Sequence, residues 1–134
     1  MRQQAKFTYK ETYDFALELI AANPGLRALW LQGSDRYQGA LDAIADAGRK
    51  GQILLICFDA EPEFLDMIAK GTLVGAGMQQ PFLMGEEAVN AMAAHLNGQP
   101  VAQTKLLPVL PVSADNVKEL LPVIRRNVLG IGVK

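Results

Sequence analysis

Polar side chains gather in this sequence where three apolar runs end. Gln32-Gly33-Ser34-Asp35 follows Leu26 to Leu31, Asp59-Ala60-Glu61-Pro62 follows Ile53 to Phe58, and Gln79-Gln80-Pro81 follows Thr72 to Met78. Together these turns offer carboxylates, amides and a hydroxyl, the mixture of donors and acceptors that a neutral polyol needs. Gln32, Ser34, Asp35, Asp59 and Gln79 are therefore the candidate binding residues. Ser34, Asp35 and Asp59 are also of the types that cap the start of a following helix, and at this point both roles stand open for them.

Few residues point to catalysis. His95 is the single histidine and Cys57 the single cysteine, so no cluster with metal-ligand spacing exists and no internal disulfide can form. Cys57 lies inside an apolar run, where a thiol serves as a small core residue. Neither a Gly-x-Ser-x-Gly elbow nor a phosphate-binding glycine loop is present, and Gly71, Gly75 and Gly77 lack dinucleotide-fingerprint spacing. Asp59 and Glu61 are too close in one turn to read as more than solvated carboxylates. The reading is a binding protein, not an enzyme, with no catalytic residue, metal or cofactor. The formal net charge of −1 gives no field that would draw nucleic acid or an anionic membrane. Arg125-Arg126 reads as a helix end. Met1 to Lys10 has no apolar stretch of signal-peptide length, and no run is long enough to span a membrane.

The elements that must position the three turns alternate between helix and strand. Thr8 and Glu11 have capping-box spacing, and Tyr13, Ala16, Leu17 and Ile20 share one helical face until Asn23-Pro24-Gly25. A second helix carries Tyr37, Ala40, Leu41 and Ile44 inward and stops at Gly48. Pro62 opens a short helix with Phe64, Leu65 and Ile68, ended by Gly71. A long helix presents Gly85, Ala88, Val89, Met92 and Leu96 on one face, up to Asn97-Gly98. Leu106 to Val112 is extended, but Pro108 and Pro111 restrict it to an edge or a crossing segment. Ser113 caps a final helix through Val117, Leu120 and Leu121, which Pro122 ends or kinks. The unbroken apolar run Ile53 to Phe58 suits a strand buried on both faces. This pattern predicts an α/β fold with a mainly parallel sheet flanked by helices, and ligands in such folds bind beyond the carboxyl ends of the strands.

At the same turns the sequence resembles type I periplasmic binding proteins, in particular ribose- and galactose-type receptors of bacterial ABC importers. The likeness rests on Asn23-Pro24-Gly25-Leu26-Arg27-Ala28-Leu29-Trp30 with Gly39-Ala40-Leu41 and Ala47-Gly48, on Ile53 to Asp59, on Ile68-Ala69-Lys70-Gly71 through Gln79-Gln80-Pro81, Gly85 and Ala88, and on Pro108 to Val112 with Asn116-Val117. It runs from about residue 7 to residue 121. The resemblance implies a two-lobed fold in which Asp59 and Gln79 bind sugar hydroxyls and Phe7 stacks on the sugar ring. The family's asparagine–aspartate pair after the first strand is replaced by Gly33-Ser34, with Asp35 next, which implies a different sugar, or a ligand that is not a simple pentose.

The resemblance covers only the family's final part. It implies a periplasmic-binding-protein-like domain that is incomplete: about 1–77 in the C-terminal lobe, about 78–105 in the N-terminal lobe, and about 106–134 as the return crossing and terminal helix. The expected parent is periplasmic or lipid-anchored outside the cell. Its partners are a sugar or polyol and the membrane subunits of an importer. The alternative is the effector domain of a Lac-repressor-like transcription regulator, although Lys70-Gly71-Thr72-Leu73-Val74 departs from the phrase those regulators carry. With half of a cleft, the chain is expected to self-associate and to bind ligand weakly by itself.

Overall fold

The computed structural model describes residues 8–33 and 36–132. Three strands, β1 (Ala28–Leu31), β2 (Leu54–Phe58) and β3 (Gly75–Met78), lie side by side and parallel. A fourth, β4 (Leu110–Ser113), runs antiparallel along β3, giving the order β1-β2-β3-β4. Pro111 is accommodated because β4 is the outer strand, where one N–H of each pair is not needed for the ladder. The helices are α1 (Tyr9–Ala22), α2 (Tyr37–Asp46), α3 (Phe64–Ala69), α4 (Pro81–Leu96) and α5 (Val117–Val123).

The local signals explain most boundaries. Thr8 Oγ1 accepts from the Glu11 N–H at 3.2 Å and the Glu11 carboxylate accepts from the Thr8 N–H, so the capping box forms as its spacing predicts. Gly48 and Gly71, just past α2 and α3, have φ of 66° and 73°, a conformation that favours glycine. Pro81 is the first residue of α4. Pro62 lies two residues ahead of α3 instead of opening it, and Asn116 rather than Ser113 is the residue before α5.

Register and burial assign the two faces of the sheet. Leu29, Leu55, Cys57, Ala76, Met78 and Val112 are buried on one face, with Ala40, Ala43 and Ile44 of α2, Phe64 and Ile68 of α3, and Val117 and Ile124 in the same core. Residues on the opposite face, paired in the same register, include Trp30 at 58% exposure and Leu54 at 50%. The parallel strands thus carry apolar residues on both faces; the second face is open at Trp30 and Leu54 and more covered toward β3, where Gly75 is buried.

Two features of the later helices go beyond the sequence reading. The sequence places Gly85, Ala88, Val89, Met92 and Leu96 on one face of α4; α4 has no buried residue, and Leu96 is 76% exposed. Periodicity shows that a helix has an apolar face; it does not show that the surface meant to cover it lies in the same chain. Of the two outcomes expected at Pro122, an end or a kink, the end does not occur. Pro122 removes the N–H that would bond the Lys118 carbonyl, but the chain continues as a π-helical turn, Ile124–Val128, closed by the Leu129 N–H donating to the Ile124 carbonyl at 3.0 Å.

Candidate functional site

Because β1, β2 and β3 are parallel neighbours, their carboxyl ends lie at one end of the sheet, and Gln32, Asp59 and Gln79 follow those ends directly. Asp59 and Gln79 are brought into contact. Gln79 Nε2 donates to Asp59 Oδ1 at 2.6 Å, and the bond is partly buried. The backbone beneath them is joined by the Asp59 N–H donating to the Gly77 carbonyl at 2.8 Å. Asp59 has φ of 67°, the one non-glycine residue with positive φ among those described. Aspartate tolerates this region better than most side chains, but it is a sparsely populated one. The turn after β2 therefore holds the carboxylate in a fixed direction, where Gln79, the residue after β3, supplies an amide to meet it.

These two residues line a cavity of about 440 Å³ together with Ala60, Pro81, Met84 and Val128. Its polar side is the Asp59–Gln79 pair; its apolar side comes from Met84 of α4 and Val128 of the last helix. A cavity of about 390 Å³ on the far side of Gln79 runs between α4 and residues 105–109. A third, of about 780 Å³, is lined by Arg27, Arg49 and Gln52 among others, at the strand starts. That is the wrong end of the sheet for a ligand of this fold class.

Gln32 is exposed, and its carbonyl accepts from Arg36 Nη2 at 2.7 Å. Its side chain is not joined to the Asp59–Gln79 pair by any hydrogen bond described. Phe7, Ser34 and Asp35 lie outside the described residues.

One contributor was missed from sequence. Tyr37 was assigned to the inner face of α2, and its ring does meet Phe64 edge-on at 5.2 Å. Its hydroxyl, however, donates to Glu63 Oε1 at 2.7 Å and ties the turn after β1 to the turn after β2. That hydrogen bond, with some burial, pushes the Tyr37 phenol up to about 12; the same bond holds the Glu63 carboxyl below its usual range, against a smaller opposing effect of burial. Nothing in the local sequence around Tyr37 points to Glu63; the pairing depends on the two turns being neighbours.

Among the described residues no group of three or more histidines, cysteines, aspartates or glutamates is placed to hold a metal ion, and no helix is long and apolar enough to cross a membrane. The arrangement is a carboxylate and an amide at one cavity edge, with apolar side chains opposite. It can accept and donate hydrogen bonds to a small ligand.

Residues 3–100 match the model of the periplasmic binding protein domain. The chain belongs to the periplasmic binding protein family. Its relatives include the ribose import binding protein RbsB of Bacillus subtilis (strain 168), 30% identical over 108 residues, a match covering 81% of this chain and 35% of that protein. The D-allose-binding periplasmic protein of Escherichia coli (strain K12) is 26% identical over 90 residues, covering 67% of this chain and 29% of that one. Among solved structures, an ABC transporter solute binding protein from Agrobacterium vitis bound with alpha-D-tagatopyranose superposes with a TM-score of 0.79 at 23% identity, over 94% of this chain and 42% of the other. The arabinose ABC transporter's periplasmic binding protein from Shewanella sp. ANA-3 gives 0.72 at 25% identity, over 96% and 44%. Periplasmic-binding-protein membership and the α/β fold were both expected from sequence, and both hold. The chain spans about a third of the length of these two curated relatives.

Proposed function

We propose that this chain forms one wall of the ligand cleft in a solute-binding component of a bacterial ABC importer, and that the ligand is a sugar or polyol. The observation that carries the reading is the Asp59–Gln79 pair at the carboxyl ends of adjacent parallel strands, in a chain of this family. A carboxylate and an amide on one edge, facing the apolar Met84 and Val128, suit a molecule with hydroxyls on one side and C–H groups on another. In this reading about 1–77 belong to one lobe, about 78–105 to the other, and about 106–134 return to the first. The two lobes close around ligand as a hinge, in a parent that is periplasmic or lipid-anchored and meets the importer's membrane subunits.

The uncovered sheet face and the β1 edge, which pairs only with β2 among the described residues, belong to the same proposal. They are the surfaces that the remaining two-thirds of a relative-sized protein would cover. Without that part, copies of this chain associate through them. Light scattering tests this: association falls when Trp30→Lys charges the exposed face, and a chain that stays monomeric at high concentration overturns it.

Calorimetry against pentoses, hexoses and polyols tests the binding reading. This chain should give weak or no heat of binding, because water reaches the open side of the site and each hydrogen bond contributes little net free energy there. The full-length parent should bind, and Asp59→Ala in it should cost about 1.5–3 kcal/mol, with Gln79→Ala costing less. Parent binding unaffected by Asp59→Ala would remove that residue from the site. Micromolar binding by the isolated chain would overturn the need for a second wall.

A further inference from the structure

The last helix and the turn after it touch the first turns of α4 at three places. Asn127 Nδ2 donates to Gln80 Oε1 at 2.7 Å. Gln80 is only 4% exposed, and its Nε2 donates in turn to the Pro108 carbonyl at 2.8 Å. Arg126 Nη2 reaches both carboxylate oxygens of Glu86, at 3.1 and 3.0 Å. Gly130, with φ of 65°, lies so close under the Phe82 ring that a Cβ there would stand 2.6 Å from a ring carbon. On another side of α4, Lys105 pairs with Glu87.

α4 buries no residue of its own, so core packing does not fix its direction; these contacts are what the structure offers instead. They draw on three separate stretches of chain, around residues 80–87, 105–108 and 126–130, and Gln80 is the point where all three meet. The π-helical turn falls on the same five residues that carry Arg126 and Asn127, and such turns are frequent at functional positions.

We propose that residues 124–130 act as a strap that pins the start of α4 at Gln80, the point about which the two proposed lobes turn, and so holds Gln79, the residue directly before Gln80, beside Asp59. Gln80 and Asn127 are positioning residues in this scheme. Its importance for binding rests on the reading of Asp59 and Gln79 as ligand groups; the strap itself does not.

Hydrogen exchange measured by NMR on this chain, with no ligand added, tests it. In Asn127→Ala the amides from Met84 to Ala88 should exchange about tenfold faster, while those of β2 keep their rates. The side-chain amide protons of Gln79 should also exchange faster, which a contact that merely steadies α4 would not produce. Arg126→Glu should loosen α4 in the same way, and adding Glu86→Arg should restore its protection, since the pair is tested by its coupling. Unchanged α4 rates in Asn127→Ala overturn the proposal, as does a uniform rise across α4 and β2. If Asn127→Ala does not fold, Arg126→Glu and its restoring partner, both at partly exposed positions, decide the matter by the same rates. Sugar plays no part in this experiment, so failure of the receptor reading and failure of the strap are told apart.

Discussion

Asp59 is held at φ of 67° with its carboxylate bonded to Gln79, and these two facts pull in opposite directions when the residue is replaced. A side chain with a Cβ costs about 1–2 kcal/mol in the left-handed region, reduced for aspartate by its local hydrogen bonding. The bond to Gln79 is charge-assisted but only partly buried, so its loss costs about 1.5–2 kcal/mol, the lower part of the range for charged partners. Asp59→Ala loses the bond and keeps the unfavourable backbone, a total of about 1.5–2.5 kcal/mol. Asp59→Gly loses the same bond but relieves the backbone, so it should be more stable than the alanine variant by about 1 kcal/mol. Asp59→Asn, which keeps an acceptor and tolerates the conformation, should fall within about 1 kcal/mol of the parent chain. Urea unfolding reads this directly. At a slope of about 1–3 kcal/mol per molar, the glycine variant's midpoint should exceed the alanine variant's by about 0.3–1 M. At an ordinary turn position with negative φ the order would be reversed, because glycine gains more freedom on unfolding. An alanine variant as stable as the glycine variant would refute the strained geometry at the site.

Gly39 sits where α1 and α2 approach closely: a Cβ there would stand 2.6 Å from the Tyr9 carbonyl oxygen. Gly39→Ala should therefore destabilise the fold by about 1–3 kcal/mol in the same assay. Cys57 is buried, and burial pushes its thiol up to about 12, so a thiol reagent at pH 8 should label it only as denaturant unfolds the chain. The Tyr37–Glu63 bond has a defined pH window. Tyr37 is raised in the folded chain from 10.0 to about 12, so its contribution is full below 10 and drains away toward 12. Glu63 is lowered, so its contribution is lost as acid protonates it. Tyr37→Phe should cost well under 1 kcal/mol at an exposed bond, and the difference from the parent chain should vanish at both extremes.

The strands were legible because they carry apolar residues on both faces and so read as unbroken apolar runs, as Ile53 to Phe58 does, although its outer residue Leu54 is 50% exposed here. The ends of α1, α2 and α3 were legible because capping and positive-φ glycines are local chemistry. Asp59 and Gln79 came from the rule about strand ends and needed no contact information. What was not legible depended on elements distant in sequence. Val128 lines the same cavity as Asp59, and Asn127 reaches Gln80, only because the last helix runs past Pro122 and widens. Nothing in Leu121-Pro122-Val123 shows that the helix will absorb the missing N–H and continue. The apolar stripe of α4 is real, but its periodicity does not show what covers it, and its partner surface is not among the described residues.

The Asp59–Gln79 bond also bears on how such a wall works. With the site open, the amide and the carboxylate satisfy each other at 2.6 Å, so neither group is left costly and unpaired. A ligand hydroxyl arriving from water must replace part of that bond and give up its own hydration, and the exchange is nearly even. On the proposed receptor reading, affinity would therefore not come from these two residues alone. It would require a second wall that removes water, because a hydroxyl then has no alternative partner and a ligand lacking it leaves buried groups unsatisfied. The strap fits this division of labour. By holding Gln79 at Asp59 before any ligand arrives, it keeps the polar edge in one arrangement, so that closure spends its free energy on excluding water rather than on ordering the edge.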